Sequence, residues 1–290
     1  MAQLKEGAIE VDGFMLGADP SAAVFVESFD PGFASTRSED TENPVGDSMA
    51  FGRDYLTPPV MTLGLVVNKY SAADAAQTLG ALAKVWRADK VRATPGAESV
   101  LRYALAGRTR RVYGRTRKLA YTPAGIASGA VPVTAEFATS DTLYYDDAER
   151  SETLRIIPPS TGGFVAPFTT PIATASTTEA QGTIEDVGGD MPTPFLVTFQ
   201  GPIANPKLEG NGWQMELRTT IAYDRSVTID TRRKTVMRSD GANLSGLLTH
   251  KSNLGTARLK PGPDYLKFSG TDATGTATCR VRWRPAYAGL

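Results

Sequence analysis

The sequence predicts a mainly β protein of two domains, residues 1–150 and 151–290, with a single clear helix at 71–89 and an all-β second half. Three observations carry this reading. Short apolar runs recur along both halves, each bounded by turn residues, as short strands are. One segment, after Ser71, instead shows apolar residues at three- and four-residue spacing. From Asp146 to about Thr183 the composition shifts to Pro, Gly, Ser and Thr and the apolar period stops, placing a boundary near Arg150. At 290 residues the chain has ample length for two cores.

In the first half, Ala8–Val11, Ala23–Val26 and Met61–Val67 read as strands, the last running apolar as a buried strand does. Ser71 with Asp74 resembles a capping box, with Asp in place of the usual Glu or Gln. Ala72, Ala75, Ala76, Leu79, Leu82, Ala83 and Trp86 then form one apolar stripe, expected to pack on a sheet. Leu101–Leu105 and Arg110–Arg115 read as a hairpin across Ala106-Gly107-Arg108. Val131–Phe137 alternates, and its Pro132 places it at a sheet edge or a bulge.

The second half begins with a tract from Ser160 to Gly182, expected to run over the domain surface. Phe195–Phe199 is a strand. Lys207–Glu209 and Trp213–Leu217 flank Asn211-Gly212, which predicts a type I′ turn with positive φ at both residues. Val227–Ile229 and Thr235–Met237 form a second hairpin, and Pro261-Gly262 fits the centre of a type II turn. Regularly spaced short strands of this kind predict a β-sandwich.

Lys plus Arg and Asp plus Glu both number 31, so there is no basic excess of the kind that binds phosphate by bulk charge. The one cysteine, Cys279, excludes an intramolecular disulfide framework and fits assembly in a reducing cytoplasm. The start, Met-Ala-Gln-Leu-Lys-Glu, does not read as a secretory signal, and no stretch approaches a membrane span, so no membrane insertion is expected.

Candidate chemistry is sparse. His250 is the only histidine and sits in a polar loop, so it offers one general base without a partner set. No CxxC or HxxxH spacing exists for zinc, and no cofactor is implied. Asp146-Asp147 is the densest acidic pair, but neighbours on a strand point to opposite faces. No enzymatic activity is expected, since no catalytic constellation is present in the sequence.

Charge is balanced yet segregated. Glu27, Asp30, Glu39, Asp40, Glu42, Asp47 and Asp54 make residues 27–54 acidic, against Arg37 and Arg53. Residues 84–118 are basic, with Arg108, Arg110, Arg111 and Arg115 at their centre. Two solvated faces would explain this, and so would head-to-tail contact between subunits, the acidic surface of one meeting the basic surface of the next.

The chain resembles the distal tail protein family of long-tailed (siphovirus) bacteriophages, in particular the minor tail proteins of phages infecting actinobacteria. In the first half the likeness rests on the 71–89 helix ending Val85-Trp86-Arg87-Ala88-Asp89, the hairpin around Gly107, and Asp141-Thr142-Leu143-Tyr144-Tyr145. In the second half it rests on Gly201-Pro202-Ile203-Ala204-Asn205-Pro206, Ile229-Asp230-Thr231, Asp240-Gly241-Ala242-Asn243 and Leu259-Lys260-Pro261-Gly262. One departure is Asp264, where the family usually carries Asn.

The resemblance implies a tail-tube-like, ring-forming β-sandwich followed by a galectin-like β-sandwich. It implies a six-fold homo-oligomeric ring in the virion, joining the tail tube protein to tail tip, tape measure or baseplate hub proteins, with DNA passing through its lumen without specific binding. If residues 35–54 line that lumen, Glu39, Asp40, Glu42 and Asp47 would repel the phosphates. The alternative function is a carbohydrate-binding tail adhesin contacting the host cell wall, for which Trp213, Tyr223 and Tyr265 are the candidate glycan contacts, although their strand positions favour core packing.

Overall fold

The computed structural model describes residues 4–156, 180–272 and 274–289, so most of the 160–182 tract lies outside the described residues. The chain divides into two compact units. The first runs to Asp147 and includes the residues from Tyr287 onward; the second is Ala148–Ala286. The division expected at residue 150 thus falls three residues earlier, and the last residues, assigned by sequence to the second domain, belong to the first. Tyr287 packs on the core of the first unit, with its ring 3.6 Å beneath the Arg110 guanidinium.

Unit 1 contains β1 (Ile9–Val11), β2 (Phe14–Leu16), β3 (Val24–Asp30), β4 (Ser35–Arg37), β5 (Thr41–Glu42), β6 (Met49–Ala50), β7 (Tyr55–Thr57), β8 (Val60–Asn68), α1 (Ala72–Arg87), α2 (Asp89–Ala93), β9 (Ser99–Leu105), β10 (Arg108–Tyr121), α3 (Gly125–Ser128), β11 (Ala130–Thr139) and β12 (Tyr144–Asp146). One antiparallel sheet takes the order β2-β1-β9-β10-β11-β8-β3, with β12 beside β10. The sheet curls back on itself. Gly17, just after β2, forms a parallel bridge with Phe25 on β3, and Phe29 on β3 meets the Tyr103 ring of β9 at 5.0 Å.

Alternation fills the inside of this curl. Met61, Leu63, Leu65 and Val67 of β8 are buried beside Val131, Val133, Ala135 and Phe137 of β11. Helix α1 adds Ala75, Leu79, Leu82 and Trp86 to the same core. Its start is set by Ser71, whose Oγ accepts the Asp74 N–H at 3.1 Å and donates to the Asp74 carboxylate at 2.7 Å. Its end is set by Ala88, which takes a left-handed conformation (φ 46°), so the single helix expected over 71–89 becomes α1 followed by the one-turn α2.

One strand expectation and one turn expectation differ from the structure. β11 is central, between β10 and β8, rather than at an edge. Pro132 is tolerated because its carbonyl faces the Thr122 N–H, one residue past the end of β10, so its missing donor removes no rung of the ladder. In the Asn211-Gly212 turn only Gly212 takes positive φ (87°), so this is not a type I′ turn. Asp12-Gly13 (48°, 88°) and Ala106-Gly107 (53°, 73°) adopt that geometry instead, joining β1 to β2 and β9 to β10.

Unit 2 contains β13 (Arg150–Arg155), β14 (Ala180–Ile184), β15 (Phe195–Gln200), β16 (Ile203–Gly210), β17 (Trp213–Glu216), β18 (Thr220–Ile221), β19 (Ser226–Asp230), β20 (Thr235–Arg238), β21 (Asp264–Thr271) and β22 (Thr278–Trp283). Two sheets, β13-β22-β15-β19-β20 and β14-β21-β16-β17 with β18 beside β16, enclose one core. Phe199 of the first sheet stacks on Phe268 of the second at 5.8 Å, and Phe195 meets Trp213 at 4.8 Å. Gly262 takes φ 81°, as the type II turn requires.

Candidate assembly surfaces

Most of the acidic segment lies on an exposed hairpin, residues 35–57. β4 pairs with β7 and β5 with β6, and every residue from 35 to 57 is exposed. Between the two ladders, three residues (38–40) face four (51–54), a one-residue bulge. Gly52 sits there because a Cβ would lie 2.0 Å from the Glu39 carbonyl oxygen; its N–H instead donates to Asp40. Glu39, Asp40, Glu42 and Asp47 all lie on this arm. So do apolar side chains that the sequence reading passed over: Val45 and Phe51 are 84% and 86% exposed, and Met49 and Leu56 are exposed with them. Their only signal in the sequence was large apolar residues scattered without period in an acidic stretch. Arg37 and Arg53, the arm's two cations, lie 5.2 and 5.1 Å over the Tyr55 ring.

The four arginines expected to form the basic contact surface have different fates. Arg110 and Arg111 are buried, so they are not a surface. Pairing registers place Glu10 opposite Arg102, and Arg102 opposite Arg111, in one row across β1, β9 and β10. Asp147 closes that row. It accepts hydrogen bonds from Arg102 Nε at 2.8 Å and from Arg111 Nη2 at 2.9 Å, while Arg102 Nη1 donates to Glu10 at 2.8 Å. Burial alone would raise the Asp147 carboxyl, but the hydrogen bonds from Arg102 and Arg111 outweigh it and hold the group below the usual carboxylate range. Arg102 is raised in turn, chiefly by Asp147. Arg110 faces the core side, stacked on Tyr287 and 4.0 Å from Asp146. Arg115 donates to the carbonyls of Ala97 and Thr94, tying β10 to the loop after α2. Arg108 alone of the four is exposed.

A different basic surface is exposed in the same unit. Lys84 and Arg87 near the end of α1, Lys90 and Arg92 on α2, and Arg117 and Lys118 on β10 are all solvent-facing. Thr116 Oγ1 donates to the Trp86 carbonyl at 2.6 Å, tying β10 to the end of α1. Asp89 and Glu136 pair with Arg87 and Lys118 and leave the surface basic.

In unit 2 the candidate glycan contacts do not converge. Trp213 is buried, with its Nε1 donating to the Arg258 carbonyl at 3.0 Å. Tyr223 and Tyr265 are exposed, contrary to the core packing expected of them. They lie toward opposite ends of β16: Tyr223 follows Ile221, the partner of Ile203, whereas Tyr265 precedes Lys267, the partner of Glu209. Six residues of strand between those two positions span about 20 Å, too far for one sugar-stacking platform. His250 is exposed, and burial raises the Cys279 thiol, which disfavours its reactive thiolate. Among the described residues no group of three His, Cys, Asp or Glu side chains is placed to hold a metal ion, and no helix is long and apolar enough to cross a membrane.

No family model and no curated protein matches this chain. Solved structures do. The chain is similar to Dit (gp 19.1) of phage SPP1, described as a paradigm of the hub adsorption apparatus in phages infecting Gram-positive bacteria. The TM-score is 0.60 at 12% identity, covering 96% of this chain and 98% of that one. It is also similar to a chain of the phage P2 baseplate in its activated conformation with Ca (TM-score 0.57, 11% identity, 98% and 99% covered) and to one in the form with Sr (0.55, 11%, 95% and 97%). These likenesses run nearly end to end in both directions and establish a shared fold.

Proposed function

We propose that this chain is a non-enzymatic structural component of a phage virion, a distal tail subunit that joins the siphovirus tail tube to the tail tip or baseplate. The end-to-end likeness in fold to a phage hub protein and to phage baseplate chains carries this reading. In it, unit 1 is the tail-tube-like, ring-forming part, assembling as a six-fold ring with DNA passing through the lumen. Unit 2 is the galectin-like part that braces tip, tape measure or baseplate hub proteins. The balanced charge suits such a conduit, since it gives passing phosphate no net attraction. Assembly takes place in the host cytoplasm before the tail is complete.

Gold-labelled antibody raised against the purified chain, applied to intact particles, tests the location. Label confined to the end of the tail farthest from the capsid is the expected result. Label on the capsid, or none on particles whose tails are intact and accessible, would remove the reading.

A further inference from the structure

A two-stranded hairpin standing alone is marginal in water, because it has no second layer to bury its apolar side chains. The arm at 35–57 is such a hairpin, yet Val45, Met49, Phe51 and Leu56 are all left exposed on it. Exposed apolar groups collected on one projecting element mark a surface that something covers. They also argue against a purely solvated lumen lining. The arm's charge indicates what the cover is. Glu39, Asp40, Glu42, Asp47 and Asp54 outnumber Arg37 and Arg53, and both arginines are already turned onto Tyr55.

The matching surface lies on unit 1 itself. Lys84, Arg87, Lys90, Arg92, Arg117 and Lys118 present the opposite sign. Beside Arg117 a recess of about 370 Å³ opens, with Arg115, Arg117 and Glu98 as its charged lining and Thr139 and Ser140 as polar lining. A single chain does not use this match, since its own arm is exposed along its whole length.

We propose that the arm of one copy docks on the basic α1–α2–β10 region of a second copy, its carboxylates against the six basic residues. This rests on the ring-subunit reading and names the surfaces that would close the ring. The contact joins two different patches, so it repeats from copy to copy and closes when the rotation permits.

The test mixes isotopically heavy and light full-length protein and applies a zero-length carboxyl-to-amine cross-linker, followed by mass spectrometry. Heavy–light cross-links between Glu39, Asp40, Glu42 or Asp47 and Lys84, Lys90 or Lys118 are expected. The variant carrying Arg92→Glu and Arg117→Glu keeps all three lysines; it should lower those cross-links about tenfold with an unchanged melting temperature. Arm-to-lysine cross-links found only within one label would overturn the proposal. Heavy–light cross-links that bypass the arm would overturn it while leaving the ring reading intact. A complete lack of heavy–light cross-links would also overturn it, and the gold labelling then decides separately whether the chain is a tail component.

Discussion

Asp147 holds two arginines that would otherwise face each other across β9 and β10 as buried like charges. Removing one partner of such a cluster leaves uncompensated charge, and Asp147→Asn should destabilise unit 1 by about 3 kcal/mol at neutral pH in urea unfolding. The pH dependence has a definite sign. Because the folded carboxyl is depressed, its contribution is complete above the unfolded value of about 3.9 and is lost as pH falls through the lower folded value. The gap between wild type and Asp147→Asn should therefore narrow as pH drops below about 3.9. A gap that stays constant into acid would mean that Asp147 acts through packing and not through charge. None of this was legible in the sequence, where Arg110 and Arg111 read as surface charge. The burial of Arg111 goes with a row of Glu10, Arg102 and Arg111 that exists only after three strands pair in register, and that of Arg110 with its place over Tyr287.

Elements with a strong local period were legible. The alternation from Val131 to Phe137 and, within the helical stripe, Ala75, Leu79, Leu82 and Trp86 are buried as predicted, whereas Ala72 and Ala76 of that stripe are exposed. Ser71→Ala should cost about 1 kcal/mol by removing the N-cap, measured by thermal or urea unfolding. The arm was not legible as a hairpin, because with no core face its strands carry no alternation. Local stability should differ accordingly. In the isolated chain, amides of β4–β7 should exchange with deuterium far faster than those of β8 and β11, and assembly should slow exchange on the arm. An arm as protected as β11 before assembly would show that the hairpin stands by its own stability.

At the scale of the whole molecule, the two cores and their order were readable from composition and turn spacing, but the return of the last residues to unit 1 was not. Tyr287 lies there in a short strand that pairs with β12, its ring under Arg110, contacts with no local signature in the sequence. The separation of Tyr223 from Tyr265, with Trp213 buried, predicts that the full chain shows no retention on host cell-wall glycan arrays. Clear saccharide binding that Tyr265→Ala abolishes would instead favour an adhesin. The central claim, a ring subunit at the tail's distal end, is tested most directly by cryo-electron microscopy of the tail end of the particle that carries this protein. The account predicts a closed six-fold ring at the end of the tube, with unit 1 around an open lumen and each arm on the neighbouring α1–α2–β10 region. Tail-end density into which neither unit fits would contradict it.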